Sequence, residues 1–298
     1  MKESNKAYYF AAVSVLLWST VASAFKLALK ELTHDQLLLI STFVSFISIL
    51  ISLTFNNKLQ YLKQINLKDL LNFAIIGFIN PFLYYLVLFK AYELLPAQEA
   101  LSLNYTWVIT IVIFSIIFLK QKTSYLMMIG LIVSFFGVIV IGTKGDILSL
   151  RFQNVLGTVL AFSSSFIWAA FWIANLKSKL DEQVKLILCF AFGFIYTLLL
   201  TLSNGSFFLI NVNLYSISTS VYIGLFEMGI TFILWMKALS ISGNTAKVGS
   251  LVYLSPFISL IIINAILKEN IAFSTFIGLI FIVGGILLPR LNLSTFSK

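Results

Sequence analysis

The chain has 298 residues, 60% of them hydrophobic and only 10% charged, including 29 Phe. A soluble domain carries about 25% charged residues, so this chain cannot cover a water-facing surface. Ten spans of about 20 residues each leave no room for a soluble domain beside them. One Cys (Cys189) and one His (His34) exclude an internal disulfide and a His/Cys metal site. No glycine loop of the phosphate-cradling type is present. Neither a metal nor another cofactor is expected.

Apolar runs predict spans at Tyr8–Leu29, Leu37–Phe55, Leu71–Phe89, Ala97–Leu119 and Tyr125–Ile141, then Val155–Leu176, Lys185–Leu202, Ser218–Leu239, Val248–Leu267 and Phe273–Leu288. The runs are continuous rather than alternating, which excludes a transmembrane barrel, and a backbone in lipid must satisfy itself as helix. The expected fold is an all-α polytopic membrane protein of ten transmembrane helices. Ala22-Ser23-Ala24 resembles a signal-peptidase site behind Lys2 and Lys6. The apolar run continues through Leu29, however, and cleavage would remove a segment with a partner later in the chain. The first span is expected to be retained.

Basic residues fall on alternate connections. With the N-terminus in the cytoplasm, the inside holds Lys2, Lys6, Lys58, Lys63, Lys68, Lys120, Lys122, Lys177, Lys179, Lys247, Arg290 and Lys298, against Lys30, Lys144, Arg151 and Lys268 outside. This bias places both termini in the cytoplasm, in a cell (inner) membrane. It also accounts for the net charge of +9 through contact with anionic lipid, not nucleic acid.

In chain order, Trp18 is the first residue of note: a midplane indole, where lipid-anchoring tryptophans belong at the interfaces. Trp107 and Trp168 share that depth and suggest a cavity wall, with core packing as the plain alternative. Lys26, Lys90 and Lys237 lie near span ends, where their stems can snorkel to the interface. His34 reads as an ordinary outer-loop residue. Asn80-Pro81 can open the third span and expose backbone to a ligand, or kink it for packing. Glu99 reads as solvated or paired with Lys90. Asn104, Tyr105 and Tyr253 offer polar tips on the fourth and ninth spans, while Ser163-Ser164-Ser165 suits close helix packing. Pro81 and Pro256 are hinge candidates.

Glu227 is the sharpest signal. A carboxylate near the bilayer centre costs about 2.5–3.5 kcal/mol on insertion scales, and no Lys or Arg lies at similar depth. Either the group is protonated or it faces a wet cavity and meets a cationic ligand. The first suits proton coupling and the second suits binding of a substrate amine. A buried acid hydrogen-bonded to a neighbouring helix is the structural alternative.

The chain repeats itself. Ile129-Gly130-Leu131-Ile132 recurs as Ile277-Gly278-Leu279-Ile280, and the same offset places Gly137 on Gly285, Gln121 on Glu269 and Val108 on Pro256. Ser14, Leu17 and Trp18 align with Ser164, Ile167 and Trp168; Gly77 falls on Gly224, Asn80 on Glu227, and Lys90-Ala91 on Lys237-Ala238. The expected units are residues 1–145 and 146–298. Each holds five spans, so the second enters the membrane inverted, an architecture that recurs in secondary transporters.

Leu16-Leu17-Trp18, Leu254-Ser255-Pro256 ahead of Lys268-Glu269, and the repeated Ile-Gly-Leu-Ile segments together resemble the EamA family of the drug/metabolite transporter superfamily. Asn104-Tyr105-Thr106-Trp107 is similar to a stretch of some amino acid exporters of that family. The resemblance implies cytoplasmic termini and export of small metabolites through a cavity lined by spans 1, 3, 4, 6, 8 and 9. The first half departs from the pattern: Val108 replaces a proline and Gln121 a glutamate. The expected function is secondary transport of small organic metabolites, an exporter of amino acids or related amphipathic compounds by alternating access. An uptake or exchange carrier and a non-transporting assembly subunit are the alternatives. An enzyme is not expected, since the midplane offers one Glu and no His. The expected partners are a small-molecule substrate and the lipid bilayer, with the chain a monomer or homodimer.

Overall fold

The structure is a computed structural model that describes residues 3–120, 124–148, 154–176, 178–210, 212–242 and 248–288. Among these, ten helical segments follow one another: α1 Glu3–Ala28, α2 His34–Phe55, α3 Leu67–Leu94, α4 Ala97–Leu119, α5 Tyr125–Gly142, α6 Val155–Leu176, α7 Glu182–Ser203, α8 Leu214–Ser240, α9 Ser250–Leu267 and α10 Phe273–Leu287. The first nine are long and apolar enough to cross a membrane, and α10 is a shorter apolar helix within the described residues. Gln121, Arg151, Lys2, Lys122, Lys177, Lys247, Arg290 and Lys298 lie outside the described residues.

Polar residues start the helices where the first backbone N–H groups lack intrahelical acceptors. Asn66 caps α3 through Asp69 N (2.8 Å), Ser124 caps α5 through Met127 N (3.2 Å) and Asp181 caps α7 through Gln183 N (2.9 Å). Asn213 and Ser216 close a reciprocal box at the start of α8. At their far ends, α4 and α9 both stop on a lysine in the left-handed region, Lys120 (φ 53°) and Lys268 (φ 58°), at equivalent positions of the two halves.

Packing follows the repeat. α1 packs on α8 and α9, as α6 packs on α3 and α4; α2 packs on α7 and α5 on α10. The contacts match in detail. A Cβ on Gly77 would stand 2.7 Å from the Cys189 carbonyl oxygen, and one on Gly224 would stand 2.8 Å from that of Ser41. Only glycine lets these helix pairs approach so closely. Ile75, Ile132 and Ile261 are 65–71% exposed, an apolar outer surface that suits lipid rather than water. We call the end of the bundle where α1 finishes the upper end.

α3 and α8 are irregular at matching places. In α3 the turn Phe78–Leu83 is widened and Asn80 leaves helical geometry (φ −148°, ψ 126°). In α8 the equivalent turn Gly224–Gly229 is widened, and the Thr231 hydroxyl donates to the carbonyl five residues back (2.6 Å). Such widened turns recur at functional sites.

Candidate functional site

Between the halves lies a cavity of about 120 Å³. An apolar cavity of about 150 Å³ holds benzene, so this one suits a small molecule or part of one. Helical spacing brings one face of each of six helices to it. α1 contributes Trp18, Val21 and Phe25; α3 contributes Tyr84, Leu88 and Tyr92; α6 contributes Trp168 and Trp172. α4 adds Leu101, Asn104, Tyr105 and Trp107, α8 adds Glu227, Phe232 and Trp235, and α9 adds Val252 and Ser255.

The wall is a connected aromatic surface. The Trp168 ring lies 4.7 Å from Tyr84, 6.1 Å from Trp172 and 6.5 Å from Trp107 between centroids. Trp18 and Trp168, the indole pair expected to share a cavity, meet through Phe232, at 5.7 and 5.8 Å respectively. Trp18 also packs on Trp235 at 5.3 Å. These rings present flat apolar area with a quadrupole that favours cations and other rings.

Glu227 is the acidic group of this wall. Its Oε1 accepts from the hydroxyl of Tyr85, a fully buried residue of α3 (3.0 Å), and its main-chain carbonyl accepts from Trp18 Nε1 (3.3 Å). Ion pairs among the described residues, such as Lys58–Asp181, Lys90–Glu93 and Lys144–Glu99, sit at the ends of the bundle. The carboxyl group lines the cavity with one fixed donor and, among the described residues, no ion-pair partner. Asn104 Nδ2 donates to Ser164 (2.8 Å) and to the Tyr84 hydroxyl (3.3 Å), tying α4 to α6 and α3. The Tyr105 hydroxyl donates to the Val252 carbonyl, joining α4 to α9.

Glu227, Trp18, Trp168, Asn104, Tyr105 and Trp107 thus come together. Asn80 and Tyr253 do not. Asn80 is 1% exposed and is not among the residues that line the cavity, and its Oδ1 is unpartnered. The break it makes packs on α7, where a Cβ on Gly193 would meet Pro81 Cδ at 2.7 Å. Tyr253 lines a separate, mainly apolar cavity of about 250 Å³ with Val108 and Ser134. It turns away because the tight turn Ser250–Leu254 opening α9 directs Val252 and Ser255 inward. Pro256 is buried near the first turn of the helical stretch that follows. Tyr84, Tyr85, Trp172 and Trp235 belong to the site and were not singled out from sequence. For Tyr84 and Trp172 the signal was helical spacing: Tyr84-Leu88-Tyr92 and Trp168-Trp172 repeat every four residues on one face.

A polar clasp lies above the cavity. The Glu269 carboxylate accepts from the N–H groups of Ala97 (3.0 Å) and Gln98 (3.4 Å), capping α4. Gln98 returns the contact, donating to the Asn270 carbonyl (2.9 Å) and accepting from Ala272 N (2.8 Å). Lys26 does not reach for the interface; its Nζ donates to the carbonyls of Tyr92 (2.8 Å) and Leu95 (2.9 Å) at the end of α3. Glu99 pairs with Lys144 (2.9 Å) rather than Lys90, which pairs with Glu93 (2.7 Å). His34 is engaged too, at 2.9 Å from Glu93. No group of three His, Cys, Asp or Glu that suits a metal occurs among the described residues.

Residues 5–143 and again 155–290 match the EamA-like transporter family. An uncharacterized transporter of Archaeoglobus fulgidus is 24% identical over 290 residues, covering 96% of this chain and 97% of its own. The aromatic amino acid exporter YddG of Escherichia coli is 28% identical over 207 residues, covering 64% of this chain and 66% of its own. A solved crystal structure superposes with a TM-score of 0.68 at 20% identity, covering 98% of both chains. That likeness establishes the fold.

Proposed function

Because the chain belongs to the EamA-like transporter family, we propose that it exports small amphipathic metabolites, amino acids with aromatic or apolar side chains among them. It is a multi-pass membrane transporter and not an enzyme. One observation carries the finer reading: a cavity between the halves joins an aromatic wall to a single carboxyl group, Glu227. In this reading Glu227 receives the substrate amine and the rings hold its apolar body. The name of the Escherichia coli relative, an aromatic amino acid exporter, supports an aromatic amino acid as the first compound to test.

The remaining parts of the reading rest on the sequence. The repeat, divided at residues 145 and 146, supports alternating access by rocking of one inverted half against the other. The lysine bias supports cytoplasmic termini in a cell membrane, which makes the clasped upper end the outer one. Glu227 also suits exchange of a proton for substrate. The test is counterflow and net flux of labelled phenylalanine, tryptophan and their decarboxylated amines in proteoliposomes of the purified protein. Saturable movement of at least one of them supports the proposal. No flux of any, in either direction and with or without a pH gradient, overturns it.

A further inference from the structure

Every tryptophan of the chain stands at the central cavity: Trp18, Trp107, Trp168, Trp172 and Trp235 all line it. They come from four helices, α1, α4, α6 and α8, so helices of both halves bring them to one place. Neighbouring indoles stand at steep angles, Trp18 to Trp235 at 59°, Trp107 to Trp168 at 74° and Trp168 to Trp172 at 77°. Rings so arranged form the corners of a box rather than one stack. Aromatic boxes hold organic cations through the negative faces of their rings.

The charge on this wall has one sign. Among the described residues, Glu227 brings the cavity its carboxyl group, and no Lys, Arg or His lines it. Lys26, two turns above Trp18 on α1, is directed instead at the carbonyls of Tyr92 and Leu95, at 2.8 and 2.9 Å. Several neutral donors of the wall are engaged within the protein. Trp18 Nε1 donates to the Glu227 carbonyl (3.3 Å), Asn104 Nδ2 to Ser164 (2.8 Å) and Tyr84 (3.3 Å), and the Tyr105 hydroxyl to the Val252 carbonyl.

An amino acid carries both an amine and a carboxylate, and this wall serves only the first. An amine finds Glu227 as its partner, and the rings add to its attraction. A carboxylate finds no cation. The donors left to it are uncharged, and it enters a cavity of about 120 Å³ that already holds a carboxyl group. Burying an ion without a partner costs far more than burying a neutral group of the same size, and like charges at close range repel. Resting on the export reading above, we propose that the cavity selects monocationic amines with an aromatic or apolar body and no carboxylate over the zwitterionic amino acids built on the same body.

Ligands sharing one body separate the amine from the carboxylate. Phenethylamine lacks the carboxylate, phenylalaninol replaces it with a hydroxymethyl group of similar size, and phenylalanine keeps it. The purified full-length protein in detergent is titrated with each at neutral pH by calorimetry. Intrinsic fluorescence is the second readout, since all five tryptophans lie at the site. Phenethylamine and phenylalaninol are expected to bind about tenfold tighter than phenylalanine or better. Glu227→Gln is expected to weaken both by about tenfold at unchanged melting temperature. Phenylalanine bound as tightly as phenethylamine overturns the proposal, as does amine binding that Glu227→Gln leaves unchanged, or no binding of any of the three. Flux separates this from the export reading. Phenylalanine that binds as tightly as its amine and is carried in proteoliposomes overturns the selectivity alone, whereas tight amine binding with no flux of any compound overturns export and supports the selectivity.

Discussion

The Tyr85 hydroxyl on α3 donates to Glu227 Oε1 on α8 at 3.0 Å, across the boundary between the two halves. Tyr85 is fully buried, so this donor is fixed, and the cavity-facing carboxyl group is held in one orientation by the half it does not belong to. A positioned carboxyl acceptor at the cavity wall is what the proposed substrate amine would meet.

Tyr85→Phe keeps the ring and deletes only that donor. A hydrogen bond to a charged group contributes about 1.5–3 kcal/mol, so substrate KM should rise by about tenfold or more while the protein stays folded. Flux kinetics in proteoliposomes, with a detergent melting curve as the control, check this. An unchanged KM would remove Tyr85 from the site.

The clasp above the cavity should act as a gate. Glu269→Gln removes the charge that α4's N-terminus favours, an effect of about 0.3–1 kcal/mol, and weakens the tie between α4 and the α9–α10 connection. A single cysteine at Leu101, in a Cys189→Ser background, should then react several-fold faster with a membrane-impermeant thiol reagent added from the upper side. Reaction at the unaltered rate would mean that the clasp does not limit access.

Close packing of α5 on α10 gives a stability test. A Cβ on Gly137 would stand 2.5 Å from the Gly278 carbonyl oxygen and 3.0 Å from Ile282 Cγ1, whereas one on Gly284 meets nothing within 4 Å. Overpacking costs about 1–3 kcal/mol. Gly137→Ala should lower Tm in detergent by several degrees, and Gly284→Ala should leave it within error.

The spans were legible because continuous apolar runs admit one reading in lipid, and the repeat was legible in glycines and a tryptophan that packing holds in place. Glu227 and the three midplane tryptophans stood out because their residue types are unusual at that depth. Orientation was harder to read. Asn80 has the right chemistry at the right depth, but its own non-helical geometry breaks the spacing that would have told which way it points. Tyr253 was misdirected by the tight turn at the start of α9 in the same way. Tyr85 was lost among many aromatics, since its partner lies 142 positions away. Glu99 failed for the same reason: Lys90 was the nearest cation in sequence, yet Lys144 is its partner in space.

Whether the Glu227 carboxyl group binds or couples substrate is tested by one isosteric change. Glu227→Gln preserves side-chain size and can still accept from Tyr85, so packing should survive while the titratable charge is lost; Glu227→Ala would also leave a void and unpaired neighbours. The measurement is flux of labelled substrate into proteoliposomes across a range of pH, for the unaltered protein and for Glu227→Gln, at matched insertion and melting temperature. Coupled transport is expected to be abolished in the variant. Normal flux with unchanged pH dependence would overturn a coupling or binding role and leave Glu227 a structural acid.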